Sequence, residues 1–95
     1  MRIAIAVETD AGLASPISGH FGRCPYYLLV DLAEDGEVTA ATPMANPYHG
    51  QHEPGQVPAF IHAQGVNVMI SGGMGRRAIA FFQEYGITTA TGASG

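Results

Sequence analysis

Val66-Asn67-Val68-Met69-Ile70-Ser71-Gly72-Gly73-Met74-Gly75-Arg76-Arg77-Ala78-Ile79 reads as three local structures in succession. Val66 to Ile70 is a short apolar run that predicts a buried strand. Ser71 to Gly75 is a glycine turn. From Arg76 onward Ala78, Ile79, Phe82 and Tyr85 recur at helical spacing, until Gly86 closes the helix and Ile87 to Ala90 begins another strand. Strand, turn, helix and strand in that order predict parallel strands joined by crossovers.

Upstream, Val57, Phe60, Ile61 and Gln64 share one face of a second helix, with Pro58 tolerable in its first turn and Gly65 at its end. The N-terminal run Arg2-Ile3-Ala4-Ile5-Ala6-Val7 alternates large β-branched residues with alanine, which predicts a strand buried on both faces. Tyr26 to Leu32 and Glu37 to Thr42 form a hairpin around Glu34-Asp35-Gly36. Two breaker-rich stretches, Glu8 to Pro25 and Pro43 to Gly55, remain as loops. The order β-β-β-α-β-α-β predicts one α/β domain over residues 1–95, a mixed five-stranded sheet flanked by helices, with no internal repeat.

Composition narrows the function classes. In 95 residues, 46% are hydrophobic and 13% charged, which is the composition of a folded chain. Four arginines, no lysine and eight carboxylates leave a net charge of −4, so the field of basic residues that nucleic-acid binding needs is missing. The same count excludes a polybasic membrane anchor, and no apolar run approaches the ~20 residues of a membrane span. A single cysteine forms no internal disulfide and gives no sign of secretion. These features predict a cytoplasmic domain.

Three constellations carry chemistry. In Gly19-His20-Phe21-Gly22-Arg23-Cys24-Pro25, His20 and Cys24 offer an imidazole and a thiol four residues apart, donors that suit zinc, copper or iron–sulfur species. Arg23 is placed to lower the thiol's pKa or to pair with an anion. The competing structural reading has Phe21 plugging the core and Cys24 as an inert buried thiol. In Tyr48-His49-Gly50-Gln51-His52-Glu53, His49 and His52 can share an ion, with Glu53 as an oxygen ligand, or else sit in water. The third is Gly72, Gly73 and Gly75 with Arg76 and Arg77, where a helix N-terminus favours an anion; plain close packing is the alternative. His62 falls off the apolar stripe of its helix, and Glu8, Asp10 and Asp31 read as solvated strand-end acids. No nucleophile, base and orienting group stand in order for catalysis, so a non-enzymatic role is expected.

The Arg-Ile-Ala-Ile-Ala-Val strand, Ser18-Gly19-His20-Phe21-Gly22-Arg23-Cys24-Pro25-Tyr26-Tyr27, the His/Gly loop and Ser71-Gly72-Gly73-Met74-Gly75 together resemble the dinitrogenase iron–molybdenum cofactor binding and biosynthesis family. The resemblance covers essentially the whole chain. It implies a ribonuclease H-like fold without nuclease activity and a role in binding or delivering a preformed metal–sulfur cluster, the iron–molybdenum cofactor or a related iron–sulfur cluster. It further implies cluster donor and acceptor proteins as partners. The family's cofactor-holding histidine falls on His20, and Cys24 matches a nearby cysteine of many members; His49 and His52 carry over less directly. Gly72, Gly73, Gly75 and Arg76 complete the expected site. Relatives continue past the equivalent of Gly95 with one more helix, so a less covered sheet face and self-association as a homodimer are expected. Two other classes stay open from the residues alone. One is a mononuclear metal module built on His20, Cys24, His49 and His52; the other is an anion- or nucleotide-binding domain using the Gly72 to Gly75 turn.

Overall fold

The computed structural model describes residues 1–49 and 55–93. Strands β1 (Arg2–Val7), β2 (Tyr26–Leu32), β3 (Val38–Ala45), β4 (Val68–Ile70) and β5 (Thr88–Ala90) form one sheet in the order β3-β2-β1-β4-β5. Helix α1 (Gln56–Ala63) connects β3 to β4, helix α2 (Arg76–Glu84) connects β4 to β5, and a 3-10 turn at Gly12–Ala14 interrupts the first loop. β1, β4 and β5 run parallel, while β2 is antiparallel to both β1 and β3. This is the mixed five-stranded α/β domain that the element order predicts.

The alternation in β1 decides which face the helices take. Ala4 and Ala6 lie opposite Leu29 and Tyr27 of β2, and Ala4 also lies beside Met69 of β4. On this face Val57 and Ile61 of α1 and Phe82 of α2 join them in one core cluster with Phe21 and Cys24. Small side chains on the central strand let both helices approach closely, and both alanines are fully buried. The opposite face carries Val7, Leu28 and Val30 as a second cluster. Ile3 and Ile5 on that face are only half-buried, so the expectation that β1 is buried on both faces holds for its alanine side and, on the other, for Val7 alone. Both helices sit on one face, which leaves the isoleucine side partly open.

β3 runs through Pro43 to Ala45, beyond the predicted end at Thr42, and Pro43 lies opposite Leu28. An edge strand tolerates proline because its missing N–H can face outward without breaking a ladder. Tyr85, read as part of the α2 stripe, is instead exposed and stacks on His62 with ring centroids 4.2 Å apart. At the far end of the sheet the Arg2 guanidinium pairs with Asp31 at 2.8 Å. Among the described residues no helix is long and apolar enough to cross a membrane.

Candidate cofactor-binding groove

In open α/β sheets a ligand crevice forms beyond the carboxyl ends of parallel strands, where neighbouring strands send their chains apart. β1 is such a place here, with parallel β4 on one side and antiparallel β2 on the other. The loop leaving β1 and the turn leaving β4 meet above it. The Ser18 N–H donates to Ala6 O at 2.7 Å and the Gly72 N–H to Ser18 O at 2.8 Å, so the two segments are locked backbone to backbone. A Cβ at Gly72 would lie 2.7 Å from Gly19 Cα, and one at Gly73 would lie 2.8 Å from Gly19 O. The first two glycines of the Gly-Gly-Met-Gly turn are therefore required by close approach, whereas Gly75 has open space around it. The Ser71 hydroxyl donates to Gly73 O at 2.8 Å and holds the turn's shape.

Between these segments and the two helices lies a groove of about 630 Å³, within the ordinary range for small-molecule sites. One wall is Gly19 to Arg23, another is Gly73 to Gly75, and the helices add Val57, Pro58, Arg77, Ala78 and Phe81. His20 is exposed on this wall, its backbone N–H held by Ser18 Oγ at 3.1 Å. Arg23 and Arg77 line the groove, and among the described residues Arg2 is the only arginine in an ion pair. The groove is thus lined by both cationic and apolar side chains, with one arginine on the loop wall and one on α2.

Cys24 is turned the other way. It is 1% exposed, does not line the groove, and its thiol donates to Phe21 O at 3.3 Å. Tyr27 donates to the same carbonyl at 2.6 Å, and Asn46 Nδ2 donates to Cys24 O at 2.9 Å and Gly22 O at 3.2 Å. Burial pushes the thiol up to about 11, against the expectation that Arg23 would lower it. Burial likewise raises the Tyr27 phenol above the usual tyrosine range. The Cys24–Tyr27–Asn46 network clamps the base of the His20 loop from the core side.

Of the residues expected to form the site, the structure brings His20, Gly73 and Gly75 together on the groove. Gly72 supports it from behind through its hydrogen bond to Ser18, and Arg76 is exposed beside it, outside the lining, where Arg77 takes its place. His49 is exposed and away from the lining, with its N–H on Asn46 O at 3.3 Å, and His52 and Glu53 lie outside the described residues. Among the described residues no three His, Cys, Asp or Glu side chains come together as a metal site. Asp31 is engaged by Arg2, whose hydrogen bond holds its carboxyl below the usual carboxylate range. Met74, Phe81 and the α1 residues Val57 and Pro58 belong to the groove without having been expected there. The helical period marks Val57 as inward-facing, but it does not say that the first turn of α1 ends at a cavity.

Comparison with known proteins agrees with this architecture. The crystal structure of PH0822 superposes with a TM-score of 0.89 at 38% identity, covering 100% of this chain and 81% of that one. The apo form of the orange protein from Desulfovibrio gigas gives 0.83 at 25% identity, covering 99% of this chain and 77% of that one. An uncharacterized protein of Methanocaldococcus jannaschii is 32% identical over 89 residues, which is 92% of this chain and 70% of the relative. The sequence pattern of the dinitrogenase iron-molybdenum cofactor family matches residues 1–95. With that match over its full length, and the same fold in its relatives, the chain belongs to the dinitrogenase iron-molybdenum cofactor family.

Proposed function

We propose that the chain is a non-enzymatic, cytoplasmic carrier that holds a preformed iron–sulfur or iron–molybdenum-type cluster in this groove, receiving it from a donor protein and passing it to an acceptor. The observation that carries the reading is the groove's make-up: an exposed imidazole, two guanidiniums that make no ion pair among the described residues, glycine backbone and apolar side chains. A cluster assembled on protein cysteines needs about four thiolates, and this chain has one, which is buried. A preformed cluster has most metal valences filled by its own sulfides. It therefore needs few protein ligands, with positive charge to balance its anionic surface. Few ligands also make release easy, as a carrier requires. The family's association with the iron-molybdenum cofactor, and the solution of a similar protein in an apo form, support the same reading.

Anaerobic preparation with a supplied cluster, followed by an absorption spectrum and iron, molybdenum and sulfide analysis, tests it. Wild type should take up colour, iron and sulfide; His20→Ala should lose most of them. Cys24→Ala, if folded, should keep them, because the thiol faces the core. A wild-type protein that stays colourless with the cluster present overturns the reading. Stoichiometric metal without sulfide would favour the mononuclear module instead.

A further inference from the structure

Met74 lies in the Gly73–Gly75 turn and lines the groove, and it is also packed against the main core cluster. Packing alone is a common role for methionine, but a residue wholly given to the core would be enclosed, and Met74 is only half-buried. Met74 stands on the wall of the cavity that His20 borders from the other loop. The two loops cannot drift apart freely, since Gly72 is bonded to Ser18 and Gly73 is in close contact with Gly19. Among the described residues no carboxylate lines this groove and the thiol is turned away, so the lining offers a metal two side-chain donors, the imidazole of His20 and the sulfur of Met74. Both are neutral, and thioether sulfur is soft. Such a pair suits a soft, thiophilic metal in a low oxidation state and gives little to hard cations such as magnesium or calcium.

We infer that His20 and Met74 form a two-point nitrogen and sulfur anchor for a soft metal, so that the groove selects clusters presenting such a metal at an edge. The choice of cluster rests on the carrier reading; the anchor itself does not, because a bare ion can probe it. Silver(I) is soft, redox-inert and diamagnetic. It would be titrated without chloride into wild type and into Cys24→Ala, which lacks a thiol, with methionine methyl and histidine ring signals followed by NMR.

The Met74 methyl and His20 ring signals should move together with the first equivalent, while those of Met1, Met44 and Met69 stay in place. Met74→Leu conserves volume and fold, and should weaken silver binding by at least ~10-fold, as should His20→Ala. A still Met74 signal, or a Met74→Leu protein that binds as tightly as wild type, overturns the anchor. Cluster uptake is measured on the same proteins. If wild type refuses the cluster yet binds silver through both residues, the carrier reading fails and the anchor stands. If Met74→Leu retains the cluster as well as wild type does, selection of the cluster through Met74 fails and the carrier reading stands.

Discussion

At Gly72 the absent side chain is what lets the two site-forming loops touch. A methyl group there would meet Gly19 Cα and Ser18 O at 2.7 and 2.9 Å, and both are backbone atoms with no rotamer to yield. Gly72→Ala should therefore destabilise the fold by about 1–3 kcal/mol and move the His20 ring signals, as read by urea unfolding and NMR. Gly75 has φ −70° and open space around it, so Gly75→Ala should leave His20 in place. Unchanged His20 signals in Gly72→Ala would contradict the locked loops. Cys24 makes a separate, pH-dependent contribution. Its thiol titrates near about 8.5 in the unfolded chain and about 11 in the folded one, so the folded state holds the proton more tightly. That contribution is complete below about pH 8.5 and is lost as pH rises through about 11; the raised Tyr27 phenol acts in the same direction at higher pH. Stability measured in urea from pH 8 to 11 should fall, and less steeply in Cys24→Ala. The thiol should react slowly with a disulfide reagent at pH 8 until the chain is unfolded.

At the scale of elements, much of this could be read from the chain because periodicity and punctuation agreed. The alternation in β1 predicted a buried strand, and Ala4 and Ala6 are fully buried in the core cluster that both helices join. The Gly-Gly-Met-Gly turn was legible as a turn, though its reason, contact with Gly19 fifty-odd residues away, depends on register that local sequence does not contain. Pro43 was read as a breaker, and only its place on an edge strand makes it compatible with β3. The site divided in a similar way. His20 was identified by the motif it stands in. Cys24, four residues on, looked like its partner, but the loop turns between them and sends one side chain to the groove and the other to the core. Spacing along a loop does not fix side-chain direction as it does in a strand or helix. Met74 looked apolar in a glycine turn, and Phe81 fell outside the expected α2 stripe, so neither could be assigned to a cavity that exists only once α1, α2 and two loops are assembled.

Across the whole molecule, three of the four arginines stand at one end of the sheet and a cluster of carboxylates at the other. The groove lies at the end where β1 finishes and β2 begins, with Arg23 and Arg77 on its walls and Arg76 beside it. Asp31, Glu34, Asp35 and Glu37 gather at the other end of β2, around the hairpin turn. A strand of that length spans about 20 Å, roughly twice the distance over which charges act at physiological salt. The chain's net charge of −4 therefore does not set the potential at the groove, which is governed by the groups close to it: its own arginines, the N-terminal end of α2 and Glu8, which follows β1 and acts on Cys24. An anionic cluster should bind less tightly as salt is raised. Arg23→Gln and Arg77→Gln should each weaken uptake by roughly two- to fivefold at 0.15 M salt, the scale of exposed charge pairs, and should flatten the salt dependence. Glu34→Gln with Asp35→Asn changes the net charge by twice the amount in the opposite sense, yet at that salt it should leave the affinity unchanged and strengthen uptake only near 0.01 M, where screening is weak. A gain of affinity from the hairpin substitutions at 0.15 M at least as large as the loss from either groove substitution would mean that total charge, and not this groove, attracts the cluster.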